Sequence, residues 1–248
     1  MESREVGFRE ELERVREQLC LEIKFRAAEF DQLVSLQQDE LDRYACPAIV
    51  LAVSRACGYA GDRAVGLAAI MQYIYMADRV HRLMQDEGLS EAERQFPVLV
   101  GDFLYGKYFL GLCREQLLDY LAPLAQGIAT MCQGAIKRWL LLEDEADAED
   151  WLDVLVREQA VLTGLAARLG ADLAGASLQV QERLEDLGSE LGLAWAAAKQ
   201  RLGYNIVGMA LRQARKILGE LPDDLQLRPL EELYAWMAGY CCPELKLS

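Results

Sequence analysis

The chain has 248 residues, 52% of them hydrophobic, and a formal net charge of −14. That length and apolar content suffice for one substantial core, while the acid excess excludes binding to a nucleic-acid backbone, which needs a cationic face. Ala, Leu, Glu, Gln and Arg dominate and alternating Val/Ile/Thr runs are scarce, so the expected class is all-α, one domain over residues 1–248 with about eight to ten helices.

Phe8, Leu12, Val15, Leu19, Ile23, Ala27, Phe30 and Val34 recur at spacings of three and four, which predicts one long amphipathic helix from about residue 4 to 42. Pro47 suits the first turn of a second helix that Gly58 and Gly61 close, and Asp62 is expected to cap a third running to Gln85, ended by Gly88. Further helices are expected at 92–114, 115–142, 150–172, 176–203, 204–219 and 228–240, with Pro222 and Pro229 punctuating the last two. The acidic run Glu143 to Asp150 reads as a solvated loop and a helix start.

Seven cysteines, at 20, 46, 57, 113, 132, 241 and 242, have no Cys-x-x-Cys spacing and fit reduced thiols, with the vicinal Cys241-Cys242 read as packing. A single histidine, His81, leaves zinc short of ligands and is read as a packing residue. The start, Met1-Glu-Ser-Arg-Glu5, lacks the apolar run of a signal peptide, and the longest nearly uncharged stretch, Ala64 to Ala77, is too short to span a bilayer. These features lead to the expectation of a soluble, cytoplasmic protein without a membrane span.

An ordered series of landmarks between about Asp42 and Tyr204 resembles the trans-prenyl diphosphate synthase family. Asp42-Arg43-Tyr44-Ala45-Cys46-Pro47 stands for the family's Gly-Lys-Arg-x-Arg-Pro, and Arg82-Leu83-Met84-Gln85-Asp86 for its first Asp-Asp-x-x-Asp. Gly101-Asp102-Phe103-Leu104 is close to Gly-Asp-Tyr-Leu, and Met131-Cys132-Gln133-Gly134 echoes a Met-x-x-Gly element without its glutamate. Glu158-Gln159-Ala160 corresponds to Lys-Thr-Ala, and small residues follow at Gly170, Gly175, Gly188 and Gly192. The second motif, Phe-Gln-x-x-Asp-Asp-x-x-Asp, corresponds to Trp195 through Gly203, with Lys199 and Gln200 at the aspartate pair.

The resemblance implies an isoprenoid-synthase-type helical bundle, with a long N-terminal helix (1–43), a family-like core (44–204) and shortened C-terminal helices (205–248). The family ionises an allylic diphosphate with magnesium ions held between carboxylates of two facing helices. Here Asp86 alone remains of the first set, Arg82 and Lys199 bring cations, and Asp78 sits where the family lines its prenyl tunnel, a costly place for a carboxylate. The expectation is a non-catalytic subunit of a heteromeric polyprenyl diphosphate synthase, with no catalytic residue or metal ligand of its own and magnesium present only if a partner supplies the site. Remnant substrate contacts are Arg43, Arg79, Arg82, Asp86, Lys199 and Arg201. The partner is a catalytic synthase chain or a second copy, met through Phe103, Phe109, Leu110 and Met131. Two alternatives stay open: a protein whose cations hold a prenyl diphosphate without metal, and an active enzyme with an atypical metal site recruiting the 143–150 loop. The tyrosines Tyr73, Tyr75, Tyr105 and Tyr108 are read as core or interface packing.

Overall fold

A computed structural model describes residues 7–23, 39–83, 91–141, 147–200 and 204–242, and every regular element among them is helical. In chain order these are α1 (Arg9–Glu22), α2 (Glu40–Ala56), α3 (Asp62–Arg82), α4 (Glu91–Arg114), a 3-10 turn (Leu118–Tyr120), α5 (Leu121–Leu141) and α6 (Ala148–Leu155). A π turn (Val156–Ala160) then leads into α7 (Val161–Leu173), α8 (Leu178–Lys199), α9 (Tyr204–Gly219) and α10 (Leu227–Cys241).

The continuous N-terminal helix expected over 4–42 is not what forms. Helix α1 ends at Glu22, and a new helix starts at Glu40 because Asp39 adopts an extended conformation and caps it. Asp39 Oδ1 accepts from Asp42 N at 2.9 Å and Asp42 Oδ2 accepts from Asp39 N at 3.2 Å, a reciprocal box that satisfies two otherwise unpaired donors. Positions 27, 30 and 34 of the expected stripe lie outside the described residues, but Phe8 and Val15 are fully buried and Leu12, Leu19 and Ile23 pack against the core. Pro47 falls inside α2 rather than at its start, and Asp62 is the first helical residue of α3, with Gly61 at the cap.

Helix α2 is buried along nearly all its length, as is α3, so these two apolar helices form the centre of the bundle. Helix α2 packs against α3, α7 and α10; α3 also packs against α4; and α8 lies between α7 and α9. Helices α7 and α8 approach each other closely through glycines: a Cβ at Gly188 would lie 2.5 Å from the Thr163 carbonyl oxygen. All seven cysteines are free thiols. His81 sits against Gly101, with Nε2 3.3 Å from the Val98 carbonyl oxygen, so the Gly-Asp-Phe-Leu segment begins with the residue that lets α3 and α4 meet. Among the described helices, one segment, Gln95–Arg114 of α4, is long and apolar enough to cross a membrane by length and composition, which the expected longest stretch at 64–77 overlooked. Only 39% of it is buried.

Candidate functional site

The C-terminal ends of α3 and α8 converge with the π turn on a cleft of about 450 Å³. Helix α3 contributes Tyr75, Asp78, Arg79 and Arg82 at turn-by-turn spacing, which puts them on one side of the helix. The π turn supplies Glu158 and Gln159, α5 supplies Arg138, and the end of α8 supplies Lys199 with Gln200 beside it. An extra residue in a helical turn changes the direction of the side chains that follow, and such turns recur at functional sites.

Arg82 is at the centre of an ion network. Its Nε is 2.7 Å from Asp78 Oδ2 and its Nη1 is 2.6 Å from Glu158 Oε2. Arg138 closes on the same carboxylate, with Nη2 2.6 Å from Oε2 and Nε 2.9 Å from Oε1, and passes on to Gln200 Oε1 at 3.2 Å. With its side chain 3% exposed, Glu158 is neutralised by two guanidinium groups. Burial alone would raise its carboxyl pKa, but the Arg138 hydrogen bonds and the charges of Arg82 and Arg138 hold it below the ordinary glutamate value. Asp78 behaves in the opposite way: burial pushes its carboxyl up, and Arg82 offsets this only in part. Burial likewise works against the Arg82 charge, yet Asp78 and Glu158 outweigh it and raise its pKa above the ordinary arginine value.

A second pair lies across the cleft. Lys199 Nζ bonds Asp42 Oδ1, and the Tyr75 hydroxyl donates to the same oxygen. Asp42 is 1% exposed, and Gln72 Nε2 donates to its backbone carbonyl at 2.8 Å. The Tyr75 ring packs against Trp195 with centroids 5.2 Å apart, so aromatic bulk fills the floor between α3 and α8.

Of the residues expected at the site, Arg79, Arg82 and Lys199 are brought together. Arg43 is not: it is exposed on α2 and does not line the cleft, because one residue of helix rotates it about 100° away from its neighbour Asp42, which points inward. Asp86 and Arg201 lie outside the described residues. Sequence reading missed Asp42, Arg138 and Gln159 as parts of the site. At the expected interface Phe109 and Leu110 are 51% and 64% exposed, and Phe103 is partly buried under Lys107. Met131 is corrected: at 1% exposure it packs into the chain's own core. Asp147, at the end of the acidic run, caps α6 by accepting from Asp150 N at 2.9 Å, which is the helix start expected there; residues 142–146 lie outside the described set.

Magnesium needs several oxygen ligands with charge to spare. The described residues contain no group of three His, Cys, Asp or Glu able to hold a metal, and the carboxylates of the cleft are already paired with cations. The donor set of the described residues does not fit magnesium.

No family model matches the chain. Octaprenyl diphosphate synthase of Escherichia coli K12 is 29% identical over 175 residues, which is 66% of this chain and 54% of that protein. The chain spans about half the length of the curated relatives it matches. In three dimensions a decaprenyl diphosphate synthase from Rhodobacter capsulatus superposes with a TM-score of 0.77 at 19% identity, covering 95% of this chain and 97% of that one. A geranyl diphosphate synthase small subunit from Antirrhinum majus gives a TM-score of 0.73 at 17% identity, covering 95% and 99%. The chain has the all-helical isoprenoid synthase fold, and in sequence it is a relative of the trans-isoprenyl diphosphate synthases.

Proposed function

We propose that this chain is a non-catalytic subunit of a heteromeric polyprenyl diphosphate synthase acting in isoprenoid biosynthesis in the cytoplasm. One observation carries the reading: charge is inverted at both ends of the cleft, and each inversion comes as a matched pair. Arg82 stands where the resemblance places the first aspartate and Glu158 where it places a lysine, and the two bond each other at 2.6 Å. Lys199 stands at the second aspartate pair and bonds Asp42, which lies in the stretch that the resemblance makes cationic. A cleft whose carboxylates are bound by its own cations has none left to bridge metal to diphosphate, and loss of one electrostatic element alone commonly slows such chemistry by about 10²–10³. The likeness in fold to a small subunit supports the same reading.

The partner in this reading is a complete prenyl diphosphate synthase chain, which supplies the magnesium site. Helix α5 contains no Asp or Glu in a chain with 40 of them, and it exposes Ile136, Trp139 and Leu140 while α4 exposes Leu99, Phe109 and Leu110. Exposed apolar side chains, those of α5 on a helix without acidic residues of its own, suit contact with another protein surface. Purification with associated proteins from the native host, followed by prenyl transfer assays with and without the recovered synthase, tests the proposal. The chain alone should show no turnover, and its addition should change the rate or product length of the synthase. Magnesium-dependent turnover of an allylic diphosphate by the purified chain alone would overturn it.

A further inference from the structure

Helix α1 is held to the bundle by charge more than by apolar packing. Two of its fourteen residues, Glu11 and Val15, are buried, with Phe8 just before it, whereas α3 is buried along most of its length. No side chain caps its start, no cation stands in its last turn, and a helix of this length is marginal alone in water. It is helical because it is docked. A groove of about 290 Å³ runs between α1 and Val65 of α3, so the seat is not closely filled. Glu11, 8% exposed, accepts from Arg55 of α2 through Nε at 2.9 Å and through Nη2, but its Oε2 is buried with no donor among the described residues. Glu22 stands in the last turn, the end of a helix that disfavours negative charge, and collects three partners from other helices. The Tyr73 hydroxyl of α3 donates to it at 3.0 Å, Arg114 of α4 bonds it, and Lys107 Nζ of α4 lies 3.8 Å away. Glu115 shares Arg114 at 3.0 Å, and Lys107 also lies 5.4 Å from the Phe103 ring centroid. Further ties are Gly7 N to Glu232 at 2.7 Å and the exposed pair Arg14–Asp62.

We propose that α1 is a releasable latch: it opens as a unit while the rest of the bundle stays folded, and Glu22 is the catch. Opening takes Lys107 and Arg114 off the carboxylate and deprives the Tyr73 hydroxyl of its acceptor, so the state of α1 sets the charge along one edge of α4. The same helix exposes Phe109 and Leu110, which the subunit reading gives to the synthase, but the latch itself does not depend on that reading. Arg14 and Arg114 are about half exposed, so salt screens these ties, whereas it leaves the apolar contacts of α2 and α3 intact. Ionic strength therefore opens α1 before the core helices.

Hydrogen exchange of the isolated chain at neutral pH, read by mass spectrometry, tests this. The α1 amides should exchange about tenfold or more faster than those of α2 and α3, and raising sodium chloride from about 0.05 M to about 0.5 M should speed α1 by about threefold or more relative to α3. Glu22→Gln should speed α1 by about tenfold while α2 and α3 change by less than about twofold, and Tyr73→Phe, which keeps the ring, should speed α1 by about threefold. The sign of the Glu22→Gln effect discriminates, because a carboxylate acting only within its own helix opposes the dipole there and its removal would slow exchange. Glu13→Gln, whose partner Arg16 lies in α1 itself, should change exchange by less than about twofold. Exchange of α1 at the rate of α2 and α3, no response to salt, slowed or unchanged α1 exchange in Glu22→Gln, or an equal rise in all three helices would each overturn the proposal. Far-ultraviolet circular dichroism checks that Glu22→Gln is folded, and if it is not, the Tyr73→Phe chain and the salt series decide.

Discussion

Asp78 and Glu158 bind the same guanidinium from opposite sides, yet their electrostatic positions differ in sign. Glu158, with two cations on it, has a folded pKa below the usual 4.5, so its ionised form stabilises the fold fully above that value and the contribution is lost as pH falls through the folded pKa. Asp78, held up by burial above the usual 3.8, binds its proton more tightly when folded; its contribution is largest in acid and shrinks as pH rises through the folded pKa. Glu158→Gln should therefore cost about 3–5 kcal/mol at neutral pH, the range for removing one partner of a buried ion pair, and progressively less below pH 4.5. Asp78→Asn should cost less than Glu158→Gln at neutral pH and show the opposite trend, costing more in acid. Urea unfolding of both variants and the wild type at pH 7 and about pH 4 checks the two signs together.

At the level of elements, the pairing of α7 with α8 depends on missing side chains. A Cβ at Gly188 would meet the Thr163 carbonyl oxygen at 2.5 Å, and because that neighbour is backbone it cannot swing aside. Gly188→Ala should destabilise by about 1–3 kcal/mol or more, seen as a lower unfolding temperature. Gly106, on the exposed side of α4, has nothing within 4 Å of an added Cβ, so Gly106→Ala should instead stabilise the isolated chain by about 0.5–1 kcal/mol through helix propensity. The end of α7 and the bounds of α8 to α10 were legible to within about four residues from apolar spacing and the Pro222 turn, whereas the single helix expected over 150–172 forms as α6, the π turn and α7. The start of α2 was not, because the polar run through Asp39 and Asp42 keeps helical spacing and the capping box that breaks it uses side chains such a helix could equally expose. The π turn has no periodic signature over five residues. The cleft was half legible: opposite sign changes at 82 and 158 were visible separately, but periodicity does not say which helix faces which. Lys199 meets Asp42 across 157 positions of chain, a relation that only packing creates.

For the whole molecule, the apolar residues left outside the core bear on assembly. Leu99, Leu110, Ile136 and Trp139 are 66%, 64%, 60% and 54% exposed, whereas most of the large apolar side chains of α2, α3 and α8 are buried. Contact with a synthase chain would remove these surfaces from water, and Trp is the residue type that most often dominates such contacts, with truncation costing about 2 kcal/mol or more. Because these side chains contribute little to the chain's own core, polar replacements should separate assembly from folding. Leu110→Asp and Trp139→Glu should each leave the unfolding free energy of the isolated chain within about 0.5 kcal/mol of wild type. Trp139→Glu should weaken association with the co-purified synthase by about thirtyfold or more, the equivalent of roughly 2 kcal/mol. Sedimentation velocity with and without the synthase reads association, and denaturant unfolding of the same samples reads stability. Unchanged association in both variants would remove α4 and α5 from the contact, while a large loss of stability would mean that these residues serve the fold instead.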